Sequence, residues 1–217
     1  GNNLNTNFTI NEENALFEIS IIHYPLSLSN ITNSYSVFNT ETDLTNSFGF
    51  KSDEQGISYS INFNYNEDVA ISSGLSYKES NRHSAVRSSN VISDNIGKFD
   101  IYSLQFSIKQ DSTDDYLYPT DGSLNSIYLE YSPEDISDDS YYKLILRNNL
   151  FKKSKNSNRF IFLSNKLGLA DSFDGNLKSV NAYSLGGMNF KGFDYRGIGP
   201  RQDNIYLGGN KFFTSTI

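Results

Sequence analysis

The sequence predicts an all-β protein whose antiparallel strands form a β-barrel that spans a membrane. Apolar and polar residues alternate with a period of two along most of the 217 residues, and this is the repeat of a β-strand. The positions between the apolar residues carry Asn, Ser, Gln, Lys, Arg and Glu, which suit a water-filled lumen better than the packed interior of a β-sandwich. Many alternating segments are about ten residues long, the length that a tilted strand needs to cross a bilayer.

Ten strands are predicted from this alternation. They are residues 4–10, 15–24, 31–41, 57–65, 69–77, 102–109, 122–132, 141–152, 159–170 and 204–216. The fourth is the clearest, since Ile57 and Ile61 lie on one face and Ser58 and Ser60 on the other. Pro25 ends the second strand because proline donates no hydrogen bond to a β-ladder.

The connections between these strands alternate in length. Short ones are predicted at 25–30, 66–68, 112–121 and 153–158, and long ones at 42–55, 78–98 and 171–203. Short periplasmic turns and long extracellular loops are typical of outer-membrane barrels. Two tight connections, at 11–14 and 133–140, fall on the side of the long loops.

Composition excludes several other classes of protein. The chain has no apolar run of the length that a transmembrane helix needs, and its mean hydropathy of −0.49 is compatible with a barrel because only alternate residues face lipid. A net charge of −7 argues against a nucleic-acid partner, and the absence of cysteine excludes disulfides and thiolate metal sites. His23 and His83 lie in separate segments with no catalytic spacing, so neither an enzyme nor a cofactor is predicted. The turn carboxylates are expected to be solvated, or to bind cations weakly, and not to form a dedicated calcium site; they are Asp114, Asp115, Asp138 and Asp139.

Charged residues on the polar strand faces are predicted to line the lumen. They are Glu18, Lys109, Glu130, Lys143 and Arg147. Near the carboxyl end, residues 185–201 have the sequence LGGMNFKGFDYRGIGPR. Glycine at five of these positions permits positive φ and close backbone approach, which indicates a segment folded back against another part of the protein.

This stretch resembles the long inward-folded loop of the BamA family, the insertases of the bacterial outer membrane. The matching residues are Gly186, Gly187, Phe190, Lys191, Gly192, Phe193, Gly199, Pro200 and Arg201. The family has Arg at the position of Lys191 and pairs it with a carboxylate on the barrel wall. The resemblance therefore implies that Lys191 braces the loop, without the bidentate geometry of Arg, against a carboxylate close to Ile217 or beyond it. The alternative is an ordinary glycine-rich hairpin loop with an exposed lysine.

A second stretch, DSTDDYLYPTDGS at 111–123, resembles the family's periplasmic turn. The matching residues are Asp111, Asp114, Tyr118, Pro119, Thr120 and Gly122, while Thr113 replaces an Arg. Proline presets φ and glycine accepts positive φ, as a turn requires. The order of the two stretches is that of the family, and the resemblance extends over nearly the whole chain.

The resemblance implies that residues 1–217 are part of an outer-membrane barrel domain, with about ten of roughly sixteen strands. The opening strands, the final strands and the periplasmic repeats are expected to be absent. It also implies a Gram-negative surface-antigen barrel that catalyses the folding and insertion of β-barrel proteins without covalent chemistry, ATP or a cofactor. The implied partners are outer-membrane lipids, unfolded outer-membrane protein clients and accessory lipoproteins. Two alternatives remain: a translocation factor or two-partner secretion transporter of the same superfamily, and a passive porin-type channel.

Overall fold

The computed structural model describes residues 1–11, 14–27, 30–84, 90–154, 159–187, 190–194, 196–202 and 205–217, with the backbone alone at 47 and 90–92. Parts of the predicted connections at 11–14, 25–30, 78–98, 153–158 and 171–203 lie outside these ranges. The first residue of the predicted strand 204–216 also lies outside them.

The prediction of ten antiparallel strands is confirmed, but the last predicted strand, 204–216, is wrong before Lys211, because only Lys211–Thr216 joins the main sheet. The strands of the main sheet are β1 (Asn2–Ile10), β2 (Asn14–His23), β3 (Ile31–Leu44), β4 (Phe50–Asn64), β5 (Val69–Ser84), β6 (Gly97–Asp111), β7 (Gly122–Ser132), β8 (Tyr141–Lys153), β9 (Phe160–Ser172) and β12 (Lys211–Thr216). Each strand pairs with the next one along this order, so the sheet is a meander whose edges are β1 and β12. Between β9 and β12, a small two-stranded sheet is formed by β10 (Arg201–Gln202) and β11 (Ile205–Tyr206).

The two faces of the sheet differ as the alternation predicts. On one, which we call the apolar face, Ile57 is 56% exposed and Leu104 is 46% exposed, so these side chains are not enclosed in a core. The other, the polar face, carries the predicted lumen-lining charges. It also carries a row of serines that the register places opposite one another on five successive strands; they are Ser20, Ser36, Ser58, Ser76 and Ser103. Such a face offers water or a polar segment hydrogen-bonding partners throughout.

The predicted long loops at 42–55 and 78–98 are wrong over much of their length. β3 continues to Leu44 and β4 begins at Phe50, and a single helical turn, α1 (Thr45–Phe48), joins them and ends at Gly49 with φ of 78°. β5 likewise continues to Ser84. These strand ends carry polar residues on both faces, which removes the alternation. Their polar-face side chains contact another part of the protein, as described below, and this contact is not visible in the local sequence.

Connections emerge alternately at two ends of the sheet. We call the end with the β3–β4, β5–β6, β7–β8 and β9–β12 connections the loop end, and the opposite one the turn end. A 3₁₀ helix (Asn90–Asn95) lies at the loop end. So does the small apolar core, where Leu44, Phe48 and Phe50 are buried. In the described part of the chain, no helix has the length and apolar character needed to cross a membrane.

Candidate functional site

The β9–β12 connection, residues 173–210, folds back on itself and contains the glycine-rich stretch. Within it, Tyr183 and Gly209 exchange two backbone hydrogen bonds of 2.9 and 2.7 Å. Further along, Leu185 and Ile198 form a second antiparallel bridge, in which Ile198 N–H donates to Leu185 O at 3.0 Å. The connection is therefore an irregular two-stranded arm, which agrees with the prediction of a folded-back segment. We call residues 173–210 the arm.

Glycines permit the closest approaches within the arm. Gly186 has φ of 129°, and a Cβ atom built there would lie 2.1 Å from the carbonyl oxygen of Asp194. Next to it, Gly187 N–H donates to Phe193 O at 2.9 Å, and Gly197 N–H donates to Asp194 O at 2.8 Å. A side chain at position 186 would push the two halves of the arm apart, so this glycine is required by both conformation and space.

Lys191 lies at the exposed tip of the arm, with Gly192 and Phe193. The rings of Phe190 and Phe193 contact each other, with centroids 5.6 Å apart. Among the described residues, the structure gives Lys191 no ion pair. Its pairing with a wall carboxylate stays a prediction.

The closing Gly-Pro-Arg fixes the return of the arm. Gly199 has φ of 139°, and Pro200 O accepts a hydrogen bond from Leu207 N–H at 3.0 Å. Arg201 lies with its guanidinium carbon 4.1 Å from the ring centroid of Tyr206, opposite it in the small sheet. A cation–π contact thus joins the two strands of this return.

Arg196 is a contact residue of the arm that the motif comparison does not identify. Its φ is 54°, which is uncommon for a residue other than glycine. Its guanidinium carbon lies 4.5 Å from the ring centroid of Phe48 in α1. The contact joins the arm to the apolar core at the loop end, where Val180 and Tyr206 of the arm also pack.

A buried ionic cluster anchors the base of the arm. Asp139, in the β7–β8 connection, accepts hydrogen bonds from both terminal nitrogens of Arg82 in β5, each at 3.1 Å. From the arm, Lys178 donates to Asp139 at 3.2 Å and Asn181 at 3.1 Å. The side chains of Arg82 and Asp139 are 1% and 2% exposed. We call these four residues the Asp139 cluster.

Neighbouring contacts complete the cluster. The guanidinium carbon of Arg82 lies 4.5 Å from the ring centroid of Phe99, and its Nε donates to Ser80 at 3.1 Å. Ser132 donates to the backbone oxygen of Asp139 at 2.7 Å, and Ser179 N–H of the arm donates to Asn95 at 2.8 Å. Buried charges with this many partners resist separation, because removal of one leaves the others unpaired in a desolvated site.

The prediction that Asp139 is a solvated turn residue is wrong, because its side chain is 2% exposed and fully paired. Arg82 is 57 residues away and Lys178 is 39 residues away in sequence. No local spacing brings them together. Only the strand order, which sets β5 and β7 on either side of β6, does so.

Tyr183 anchors the middle of the arm to the polar face. Its hydroxyl lies 3.1 Å from Leu144 O in β8 and 3.3 Å from Leu169 O in β9, so it can donate to either carbonyl. Its ring packs edge-on against Phe212, with centroids 4.9 Å apart. Gly168 leaves the room that Phe212 occupies, since a Cβ there would lie 2.1 Å from the Phe212 ring.

The second motif forms the β6–β7 connection at the turn end, and Asp114 organises it. The Asp114 carboxylate accepts hydrogen bonds from the Asp121 N–H at 2.9 Å, the Thr120 hydroxyl at 2.6 Å and the Thr120 N–H at 2.7 Å. These bonds lower the pKa of the Asp114 carboxyl well below its ordinary value, the Asp121 N–H having the largest effect. The carboxylate holds the two ends of the Pro119-containing segment together.

Asp111 and Gly122 close the same turn. Asp111 accepts the Thr113 hydroxyl at 2.6 Å, so the residue that replaces the family arginine still bonds within the turn. Gly122 has φ of 105°, and a Cβ there would lie 2.2 Å from Ser112 O. Tyr118, the aromatic residue of the motif, is exposed.

Between the two motifs, the polar face holds a charge-balanced network. Glu130 accepts the hydroxyls of Tyr141 at 2.9 Å and Tyr128 at 3.1 Å and lies opposite Lys143 on the next strand. Glu54 pairs with Lys78 at 3.1 Å. Within the described residues, no group of His, Cys, Asp and Glu has the geometry of a metal site.

Comparison with known proteins agrees with this architecture. The sequence profile of the Omp85 superfamily domain matches residues 1–217, the whole chain. Among solved structures, the chain is similar to the crystal structure of BamA from Haemophilus ducreyi lacking POTRA domains 1-3, with a TM-score of 0.87 and 18% sequence identity. The alignment covers 99% of this chain and 46% of that one, so the chain spans less than half of the similar protein, and the likeness concerns the fold. Comparison with curated proteins gives no match.

Proposed function

Because the chain belongs to the Omp85 superfamily, we propose that it forms part of the barrel of an outer-membrane insertase. Such a protein folds other β-barrel proteins and inserts them into the bacterial outer membrane. The reaction needs no covalent chemistry, ATP or cofactor, because its product is a set of backbone hydrogen bonds formed in lipid. Every backbone polar group in the hydrocarbon region must find a partner, and an unpaired strand edge supplies one to an incoming strand.

The anchored arm is the observation that carries this proposal. Its base is held by the Asp139 cluster and its middle by Tyr183 on β8 and β9. A segment fixed at these positions keeps the wall in one shape. The arm thus braces the scaffold on which the reaction takes place.

The proposed partners follow from the two faces. Exposed apolar side chains on nearly every strand of the apolar face suit outer-membrane lipid. Unfolded outer-membrane proteins are the proposed clients, and accessory lipoproteins are the proposed companions of the complex.

Lys191→Ala in the full-length protein tests the role of the arm tip. We expect a less stable barrel or weaker assembly of client barrels, because the variant lacks the charge that is proposed to brace the exposed tip of the arm against the wall. The measurement is the heat-modifiable migration of client barrels in cells that depend on the variant. Lys211→Ala, at an exposed lysine of β12, is the matched control. Unchanged barrel stability and normal client assembly with Lys191→Ala would rule out the bracing role of this residue.

Depletion of the full-length protein separates the remaining alternatives. An insertase is expected to leave client barrels unassembled after depletion. Normal client assembly together with high, steady conductance of the purified protein would instead identify a passive channel. Loss of one secreted substrate with intact barrel assembly would identify a translocation or secretion protein of the same superfamily.

A further inference from the structure

Three consecutive apolar side chains project from the turn end into solvent. Tyr116, Leu117 and Tyr118 in the β6–β7 connection are 84%, 73% and 81% exposed. Single exposed apolar residues are ordinary, but a contiguous group with two aromatic rings marks an interaction surface. Tyr118 belongs to the second motif, whereas Tyr116 and Leu117 do not. None of the three takes part in holding the arm, which lies at the opposite end of the sheet.

The turn displays this triad in one conformation. Asp115 accepts the N–H groups of Leu117 and Tyr118, both at 2.8 Å. Asp114 holds the following Thr120 and Asp121, as described above. A partner that binds such a pre-organised loop loses less conformational entropy than one that binds a disordered segment.

Tyr116 of the triad lies at the mouth of the lumen, on the side of the polar face. Tyr116 lines a cavity of about 800 Å³ together with Asn64, Ala70, Lys109 and Asp111. Lys109 and Asp111 are polar-face residues of β6, since they alternate with the exposed apolar Phe106 and Leu104. A ring in this position meets water and any protein that approaches the mouth.

The mouth is also acidic. The residues that line the cavity include Glu67, Asp68, Asp111, Asp114 and Asp115, and one lysine, Lys109. Five negative charges and one positive charge give a formal charge of −4. A concave surface of one sign concentrates ligands of the opposite sign, and this sign disfavours anionic lipid headgroups.

We propose that the triad and the acidic mouth together form a docking surface for a soluble protein segment that carries lysine or arginine beside an exposed aromatic residue. The aromatic residue packs on Tyr116 and its neighbours, and the cations occupy the mouth. The proposal rests on the proposed function in one respect: it takes the turn end to face the periplasm.

Peptide binding to the full-length protein in neutral detergent micelles tests this surface. The probe is a labelled ten-residue peptide with four lysines and two phenylalanines, followed by fluorescence anisotropy. The reference peptide has glutamate in place of each lysine. We expect the basic peptide alone to bind, and its affinity to fall as salt is raised. Both Y116S/L117S/Y118S and E67Q/D68N/D115N should weaken binding by about tenfold.

Leu26→Ser is the matched control, because Leu26 is 98% exposed in another turn at the same end; its effect should stay below about twofold. Equal binding by the wild type and the triad variant, or equal binding of both peptides, would overturn the proposal. A dye attached at position 117 tests whether lipid, and not a protein segment, covers the triad. Quenching of this dye by brominated lipid chains would place the triad in the membrane and would overturn the proposal. No client barrel is present in the peptide assay, so a negative peptide result does not contradict the proposed insertase function. Conversely, normal client assembly after depletion would contradict the insertase function without changing the peptide result.

Discussion

The two motif-bearing segments lie at opposite ends of the sheet and are held in different ways. At the loop end, the arm depends on side chains from β5, the β7–β8 connection and α1, which meet it through buried charges and a cation–π contact. At the turn end, the β6–β7 connection is held mainly by bonds among residues 111–123. Outside this segment, Asp121 also pairs with Lys152 of β8, and Asp111 N–H donates to Asp68 O. The arm therefore depends chiefly on distant side chains, whereas the turn depends chiefly on its own residues.

This difference has an energetic consequence. Removal of one partner from a buried ionic cluster costs more than removal of one bond from an exposed turn, because the remaining buried charges cannot regain water. The predictions below test this order of effects, from the largest to the smallest.

Asp139→Ala should have the largest effect. It leaves Arg82 and Lys178 without their buried carboxylate, and we expect a loss of about 3–5 kcal/mol in the free energy of unfolding. The measurement is denaturant unfolding of the full-length protein in micelles, with proteolysis of the arm as a second signal. Asp135→Ala is the control, because Asp135 is exposed in the same connection. A loss below about 1 kcal/mol would show that the cluster does not anchor the arm.

Gly186→Ala should have an intermediate effect. Its φ of 129° strains any other residue, by about 1–3 kcal/mol, and its Cβ would meet Asp194 O at 2.1 Å. Gly192→Ala is the matched control, since Gly192 also has a positive φ, 93°, but open space around it. Hydrogen exchange at the Gly187 and Gly197 amides measures the opening of the arm. Equal exchange in the two variants would mean that strain alone matters and that the close approach at Gly186 does not.

Asp114→Asn should have the smallest effect, and that effect should depend on pH. The folded turn lowers the pKa of Asp114 below its ordinary value of 3.8. Its contribution to stability is therefore complete above that value and is lost as the pH falls through the folded pKa. The stability difference between wild type and variant should disappear in acid. The amide proton shift of Thr120, which donates to Asp114, reports the titration.

The β4–β5 turn provides an internal control for this experiment. There, the Asn66 side chain accepts the N–H groups of Asp68 at 3.0 Å and Val69 at 2.7 Å. An amide cap does not titrate, so the amide shift of Val69 should change less than that of Thr120. Equal changes in both turns would indicate general acid unfolding and not protonation of Asp114.

Much of the fold could be predicted from alternation, because the period of two is a local property of the chain. It placed Ile57 and Leu104 on one face and Ser58 on the other, and the register confirms this. It failed at 42–55 and 78–98, where Ser52, Glu54, Ser80 and Arg82 belong to strands but carry no apolar alternation. Polar residues in a strand and in a loop look alike in sequence when their partners are distant.

The sequence by itself determined the strands, their two faces, the two motifs and the glycines that these motifs need, because each depends on neighbours within a few residues. Tertiary structure alone decided that Asp139 is buried and that Tyr183 lies on β8 and β9. It also decided that Tyr116 lies at the mouth of the polar face. The physical reason is that strand order brings distant charges into one desolvated place, and burial, unlike alternation, is a property of the assembled sheet.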